Sequence, residues 1–250
     1  MLELLTDGRI DLARSGARHG FGLFETIRVR DGLPLRLEAH LERLAAGARF
    51  LDLEPPPGPE AVLGFLAART PCAGLASGVL RLVAVDRMLL VSVAPWEPAR
   101  PARIELGVSR ELRRMSGSPL NRFKTLSCLE NRLLAREAER RGLFEVIAPN
   151  ERGRLTDGSR TSLFLALGGQ LLTPPAADGA LPGVARRILL EAGLAREAPL
   201  TARDLARAEA VLLTNALQGA VPVQALAGME RGPLDAGHVL LKAAVERLRR

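Results

Sequence analysis

Three prolines in seven residues, Pro95-Trp-Glu-Pro-Ala-Arg-Pro101, do most to limit what this chain can fold into. Proline lacks a backbone N–H and biases the residue before it toward extended conformations, so neither a helix nor an interior strand runs through that stretch. With 250 residues there is length for a core on each side of the break. Before it, Phe24-Glu-Thr-Ile-Arg-Val-Arg30 alternates as a strand, Asp31-Gly32 makes a hairpin turn, and Leu33-Pro-Leu-Arg-Leu37 returns. Leu37, Leu41, Leu44, Ala48 and Leu51 then mark one face of a helix. Pro55-Pro-Pro57 ends it, Pro59-Glu60 opens another helix to about Arg69, and a second hairpin runs from about Gly78 to Val93. After the prolines come a short strand near Ile104, a helix from about Thr125 to Arg141, and strands around Val146, Leu155, Leu163 and Leu171. A helix opened by Leu181-Pro-Gly-Val184, a strand pair within Val211–Val223 and a C-terminal helix complete the pattern. The expected organisation is a small α/β domain over 1–96, a proline-rich linker over 97–103, and a larger α/β domain over 104–250.

Composition narrows the chemistry. There are seven Phe, one Trp and no Tyr, so Leu, Ala and Val must build the core, and a mechanism needing a tyrosine hydroxyl is excluded. Cys72 and Cys128 supply neither a disulfide framework nor metal-ligand spacing, so no metal is expected. The N-terminus lacks a signal pattern, and the uncharged run Val211–Met229 is broken by Asn215, Gly219 and Pro222, so a cytoplasmic protein without a membrane span is expected. The net charge of +7 invites a nucleic-acid partner, but the arginines are interleaved with glutamates and stacking aromatics are scarce. An anionic small molecule accounts for the excess equally well.

Only two of the 35 basic residues are lysines, Lys124 and Lys242. Arginine stays protonated and forms no Schiff base, whereas a buried lysine shifts its pKa and attacks carbonyls. Lys242 lies on an amphipathic C-terminal helix, where a solvated lysine is ordinary. Lys124 lies in Asn121-Arg-Phe-Lys-Thr-Leu-Ser-Cys-Leu-Glu-Asn131, between a basic loop and the expected helix start, and is the candidate covalent catalyst.

Other segments are ambiguous singly. Arg43 has no carboxylate at i±3 or i±4, which leaves it either a solvated arginine or a cation available to an anion such as phosphate. Leu181-Pro-Gly-Val-Ala-Arg186 begins a helix whose free N–H groups favour an anion, as many helix starts do. Thr214-Asn-Ala-Leu-Gln-Gly219 is a strand end rich in donors, or a plain turn. Asp157 is a turn aspartate, or a partly buried carboxylate in need of a partner.

Their order is more telling. Phe24-Glu-Thr-Ile-Arg28, His40-Leu-Glu-Arg-Leu44, Lys124 through Asn131, Gly153 through Phe164, Leu171-Leu-Thr-Pro-Pro175, Leu181 through Arg186, and Thr214-Asn-Ala-Leu217 with Val221-Pro-Val223 together resemble the fold-type IV pyridoxal-phosphate family. That family contains branched-chain aminotransferases, D-amino-acid aminotransferases and aminodeoxychorismate lyases. The resemblance spans about residues 20–230. It implies the family's α+β, α/β two-domain fold, a pyridoxal 5'-phosphate site between the domains, and a homodimer.

Residue by residue, the resemblance implies that Lys124 holds the cofactor covalently and moves protons. Arg43, with the N–H groups of Val184 and Ala185, is implied to hold the phosphate. Asp157 is implied to pair with the pyridinium nitrogen, where the family usually has a glutamate, one methylene longer. Asn215 and Ala216 are implied beside the cofactor on its substrate side, with Thr26 and Arg28 toward the substrate. Absent tyrosines, Cys128 where a tyrosine often lies, the Thr-Asn-Ala-Leu run and the short N-terminus resemble the lyases more than the transaminases. An aminodeoxychorismate substrate is therefore expected, with a branched-chain or D-amino-acid aminotransferase as the alternative.

Overall fold

The protein was analysed as a computed structural model, which describes residues 2–5, 15–69, 74–98, 101–229 and 233–249. Two compact units are found: Met1–Ala99 with Phe123–Cys128, and Arg100–Arg122 with Leu129–Arg250. The chain thus re-enters the first unit for six residues, and those six include Lys124.

In the first unit, β1 (Glu3–Leu5) and α1 (Ser15–His19) precede β2 (Gly22–Arg30), β3 (Leu33–Pro34), α2 (Leu37–Phe50), α3 (Pro59–Arg69), β4 (Ser77–Val85) and β5 (Met88–Pro95). The strands form one sheet in the order β1-β5-β4-β2-β3. Asp31 and Gly32 both take positive φ, 49° and 77°, the turn that tightly joined antiparallel strands require. Along β2 the residues alternate: Leu23, Ile27 and Val29 pack with Leu37, Leu41, Leu44 and Ala48 of α2, while Phe24, Thr26, Arg28 and Arg30 occupy the opposite face.

In the second unit the elements are β6 (Glu105–Val108), α4 (Leu129–Arg140), β7 (Glu145–Pro149), β8 (Leu155–Gly158), β9 (Ser162–Leu167), β10 (Gln170–Thr173), α5 (Val184–Glu191), β11 (Arg196–Glu197), α6 (Ala202–Arg207), β12 (Ala210–Asn215), β13 (Gly219–Pro222), β14 (Ala225–Leu226) and α7 (Val239–Arg249). They make two sheets, β11-β10-β9-β12-β13 and β14-β6-β7-β8. Leu163, Leu165, Val211 and Leu213 face the core shared with Leu106, Ile147 and Leu155. Their strand neighbours Phe164, Ala166, Ala210 and Leu212 face α5 and α7 through Leu189, Leu241 and Leu248. Strands buried on both faces read as continuous apolar runs, and β9 and β12 do.

One expectation needs correction. The helix anticipated from about Thr125 begins at Leu129, and Lys124 is not at a helix start. Residues 124–126 instead lie extended beside β2: Phe24 donates its N–H to the Lys124 carbonyl at 2.9 Å, and Leu126 donates to Gly22 at 2.9 Å. Edge hydrogen bonds of β2 outcompete the helical propensity of this short stretch. Cys128 is a free thiol, Cys72 lies outside the described residues, and among the described residues no helix is long and apolar enough to cross a membrane.

Candidate active site

Strand alternation seats the lysine. Lys124 Nζ lies 4.0 Å from the centroid of the Phe24 ring, a cation over an aromatic face. Phe24, Thr26, Arg28 and Arg30 share one face of β2, and the register of Thr26 opposite Arg81 brings Arg81 to that same face. Arg28 lies over the Trp96 ring at 5.1 Å. Burial and the charge of Arg30 push the Arg28 guanidinium pKa down, against Glu97, which raises it. Lysine and three arginines give this sheet face a cationic character, with Arg28 and Arg30 repelling each other across it.

On the opposite face of β2 stands an acid in the apolar register. Glu25 is 1% exposed; it accepts hydrogen bonds from Arg43 Nε at 2.8 Å and Nη2 at 2.7 Å, and it lies 2.7 Å from His40 Nδ1. Burial pushes the Glu25 carboxyl up, but the Arg43 charge and the hydrogen bonds from His40 and Arg43 outweigh it and hold the pKa at about 2. Burial pushes His40 down, more than Glu25 raises it, so the ring is neutral near pH 7. A neutral imidazole against a carboxylate donates through Nδ1. Arg43, for which the sequence shows no helical partner, therefore has a non-local one. Glu25 occupies two of its five N–H donors and fixes the plane of the guanidinium. The signal for Glu25 was in the chain: an acid in phase with Ile27 and Val29 on an inward strand face.

In the second unit, Asp157 is not a turn residue but part of β8, two residues after the core residue Leu155, and 6% exposed. Its Oδ2 accepts the Leu181 N–H at 3.1 Å. Its Oδ1 lies 2.9 Å from Arg114 Nε, yet Oδ1 has no hydrogen-bond partner. Leu181 leads through Pro182 and Gly183 into α5, whose N-terminus receives no side-chain cap. Val184 and Ala185, both buried, stand in its first turn with N–H groups in the position that favours an anion. Glu145, fully buried, accepts from the N–H groups of Ser159 (3.0 Å) and Arg160 (3.3 Å) and from the Thr161 hydroxyl (3.0 Å), which holds the turn after Asp157. Burial pushes its pKa up, with those hydrogen bonds opposing.

Asn215 ends β12, and its Oδ1 accepts from the N–H groups of Leu217 and Gln218. It shapes the tight β12–β13 turn that carries Ala216. The structure thus sets Lys124, Thr26 and Arg28 on one face of β2 and pairs Arg43 with Glu25 on the other, all in one unit, and it sets Asp157, Val184, Ala185, Asn215 and Ala216 at strand and helix ends of the other unit. Arg114, which nothing in Glu111-Leu-Arg-Arg-Met115 distinguishes from its neighbours, was not foreseen. Among the described residues, no group of three or more His, Cys, Asp or Glu side chains is arranged to hold a metal.

Residues 22–226 match the family model described as amino-transferase class IV. The chain is 28% identical to a bifunctional aminodeoxychorismate lyase / D-amino acid transaminase of Mycobacterium tuberculosis, covering 85% of this chain and 84% of the relative. Its fold is similar to that of a Legionella pneumophila protein provisionally named 4-amino-4-deoxychorismate lyase, at 23% identity and TM-score 0.86 over 99% and 98% of the two chains. It is also similar to a fold IV transaminase of Curtobacterium pusillum, at 27% identity and TM-score 0.80 over 98% and 88%.

Proposed function

The chain belongs to the class IV aminotransferase family, whose fold-type IV members depend on pyridoxal phosphate, and from that premise we propose that it is a 4-amino-4-deoxychorismate lyase. The observation that carries the choice is the sheet face on which Lys124 lies with Arg28, Arg30 and Arg81. The lyase substrate bears two carboxylates, which suit that charge. A pocket for branched aliphatic side chains calls for apolar residues instead.

The residues fit the cofactor. The buried Asp157 Oδ1, without a hydrogen bond, suits a protonated ring nitrogen. The uncapped N-terminus of α5 suits a phosphate, as does an arginine held rigid by Glu25. Bound to Lys124, pyridoxal phosphate supplies an electron sink for the carbon that bears the substrate amine. Arg43 and the N–H groups of Val184 and Ala185 hold the phosphate, and Asp157 keeps a proton on the ring nitrogen. Lys124 Nζ removes the proton from the amine-bearing ring carbon. The ring aromatises as the enolpyruvyl ether breaks, and Lys124 returns a proton to the departing three-carbon unit, giving p-aminobenzoate and pyruvate. Thr26 and Arg28 orient the substrate, and Asn215 and Ala216 border the cofactor.

The relative that combines both activities favours a second reading, an amino-acid aminotransferase on the same residues. One assay separates them. Incubated with aminodeoxychorismate and cofactor, the protein yields p-aminobenzoate and pyruvate in equal amounts, and Lys124→Ala yields none. Amine transfer from an amino acid to 2-oxoglutarate, with no p-aminobenzoate, would establish the aminotransferase instead. An active Lys124→Ala variant would overturn the role of the lysine.

A further inference from the structure

We propose that Arg114 is a positioning residue for Asp157, supplying its counter-charge while leaving one buried carboxylate oxygen without a hydrogen bond. The inference rests on the reading of Asp157 as the partner of the ring nitrogen.

Arg114 is 6% exposed, as buried as Asp157 itself. Its backbone N–H donates to the Pro149 carbonyl at 2.9 Å, so the residue is pinned at the end of β7, the strand paired with β8. From there the guanidinium reaches Asp157, with Nε 2.9 Å from Oδ1. Its other ion pair is longer and more solvated: Nη1 lies 3.5 Å from Glu130 Oε2, and Glu130 is more than half exposed.

The geometry of the close pair is unusual in one respect. Neither Arg114 Nε nor Asp157 Oδ1 makes a hydrogen bond, although they are within contact distance, so the N–H does not point at the oxygen. Attraction between opposite charges needs no alignment, whereas a hydrogen bond does. A buried carboxylate left without a counter-charge is strongly unfavourable, and Arg114 removes that cost. Because the pairing is not directional, the lone pairs of Oδ1 remain available to a donor. Oδ2, meanwhile, is tied to the Leu181 N–H, in the segment that opens α5. Asp157 is therefore held from two sides with one oxygen left unsatisfied. That arrangement compensates for a side chain one methylene shorter than glutamate, because a short carboxylate must be aimed by its surroundings.

The test is equilibrium affinity for pyridoxal 5'-phosphate, measured by absorbance on cofactor-stripped protein for wild type, R114Q, R114K, D157N and the R114Q/D157N double variant. Because Arg114 acts through Asp157, R114Q and D157N each weaken binding by roughly tenfold or more, and the double variant binds no more weakly than D157N. R114K, which keeps the charge, binds within a few-fold of wild type. A double variant weaker than D157N by the full factor of R114Q would overturn the proposal, as would an R114Q protein that binds like wild type. Should R114Q fail to fold, the double variant, which buries neither charge, and D157N make the decisive comparison. Wild type that takes up no cofactor at all would instead remove the functional reading on which the inference stands.

Discussion

Glu25 is a buried carboxylate that holds Arg43 and His40, although it touches neither substrate nor cofactor in the proposed reaction. Its pKa of about 2, against an ordinary value of 4.5, makes it a stability term with a definite sign. A depressed carboxyl contributes above pH 4.5 and loses that contribution as pH falls toward 2, on the order of 3 kcal/mol in all. His40 adds to the same trend from a higher pH. Its folded pKa lies below the ordinary 6.5, so the unfolded chain takes up a proton that the folded chain refuses. Resistance to urea should therefore begin to fall below about pH 6.5 and fall more steeply below 4.5. Glu25→Gln breaks a buried pair and should cost about 3–5 kcal/mol near neutral pH. It should also flatten the dependence between pH 4.5 and 2, and urea titrations across that range check both effects.

At the scale of elements, the alignment of residues 124–126 along β2 decides where the lysine sits. That alignment needs glycine at position 22. A Cβ there would lie 2.5 Å from the Ala84 carbonyl oxygen on β4 and 2.7 Å from Leu126 Cδ1. The strand backbone on one side cannot retreat, so the relief must come from the 124–126 segment. Gly22→Ala should destabilise the protein by about 1–3 kcal/mol, as overpacking does. It should also lower the fraction of Lys124 that borohydride traps on pyridoxal phosphate. Undiminished trapping would show that the lysine does not depend on this edge. The same competition explains the late start of α4: two strand-edge hydrogen bonds hold residues 124–126 extended, and the helix begins at Leu129 once the chain has left β2.

For the whole molecule, charge is the property with kinetic consequences. A net charge of +7 draws anions toward the protein, and salt screens that attraction. With a dicarboxylate substrate, kcat/KM should drop several-fold between about 0.05 and 0.5 M salt while kcat changes little. Stopped-flow or steady-state assays over that range measure it, and a kcat/KM independent of salt would mean that the arginine excess has no part in capture. The distribution of the site residues follows from chain path. Phe123–Cys128 belongs to a unit otherwise built from the first 99 residues, while Asp157 and the start of α5 belong to the other.

Periodicity in the sequence determined most of the elements, because an aliphatic chain writes its buried faces at intervals of two or about 3.6 residues. The β2–β3 turn, the face of α2 and the β4–β5 hairpin were legible in this way, and β7 to β10, β12 and β13 showed as short apolar runs, while β11 and α6 carry no such pattern. Composition singled out the two lysines, Lys124 and Lys242, and position made Lys124 the candidate for chemistry that arginine lacks. What the sequence could not carry were partnerships between distant residues. Arg43 looks unpaired along its own helix and is paired with a strand residue eighteen positions earlier. Asp157 looks like a turn residue and is a buried strand carboxylate beside Arg114. Local pattern records which way a side chain faces, but only the packing of strand against helix and loop against strand decides which charges meet, and at what cost in lost solvation.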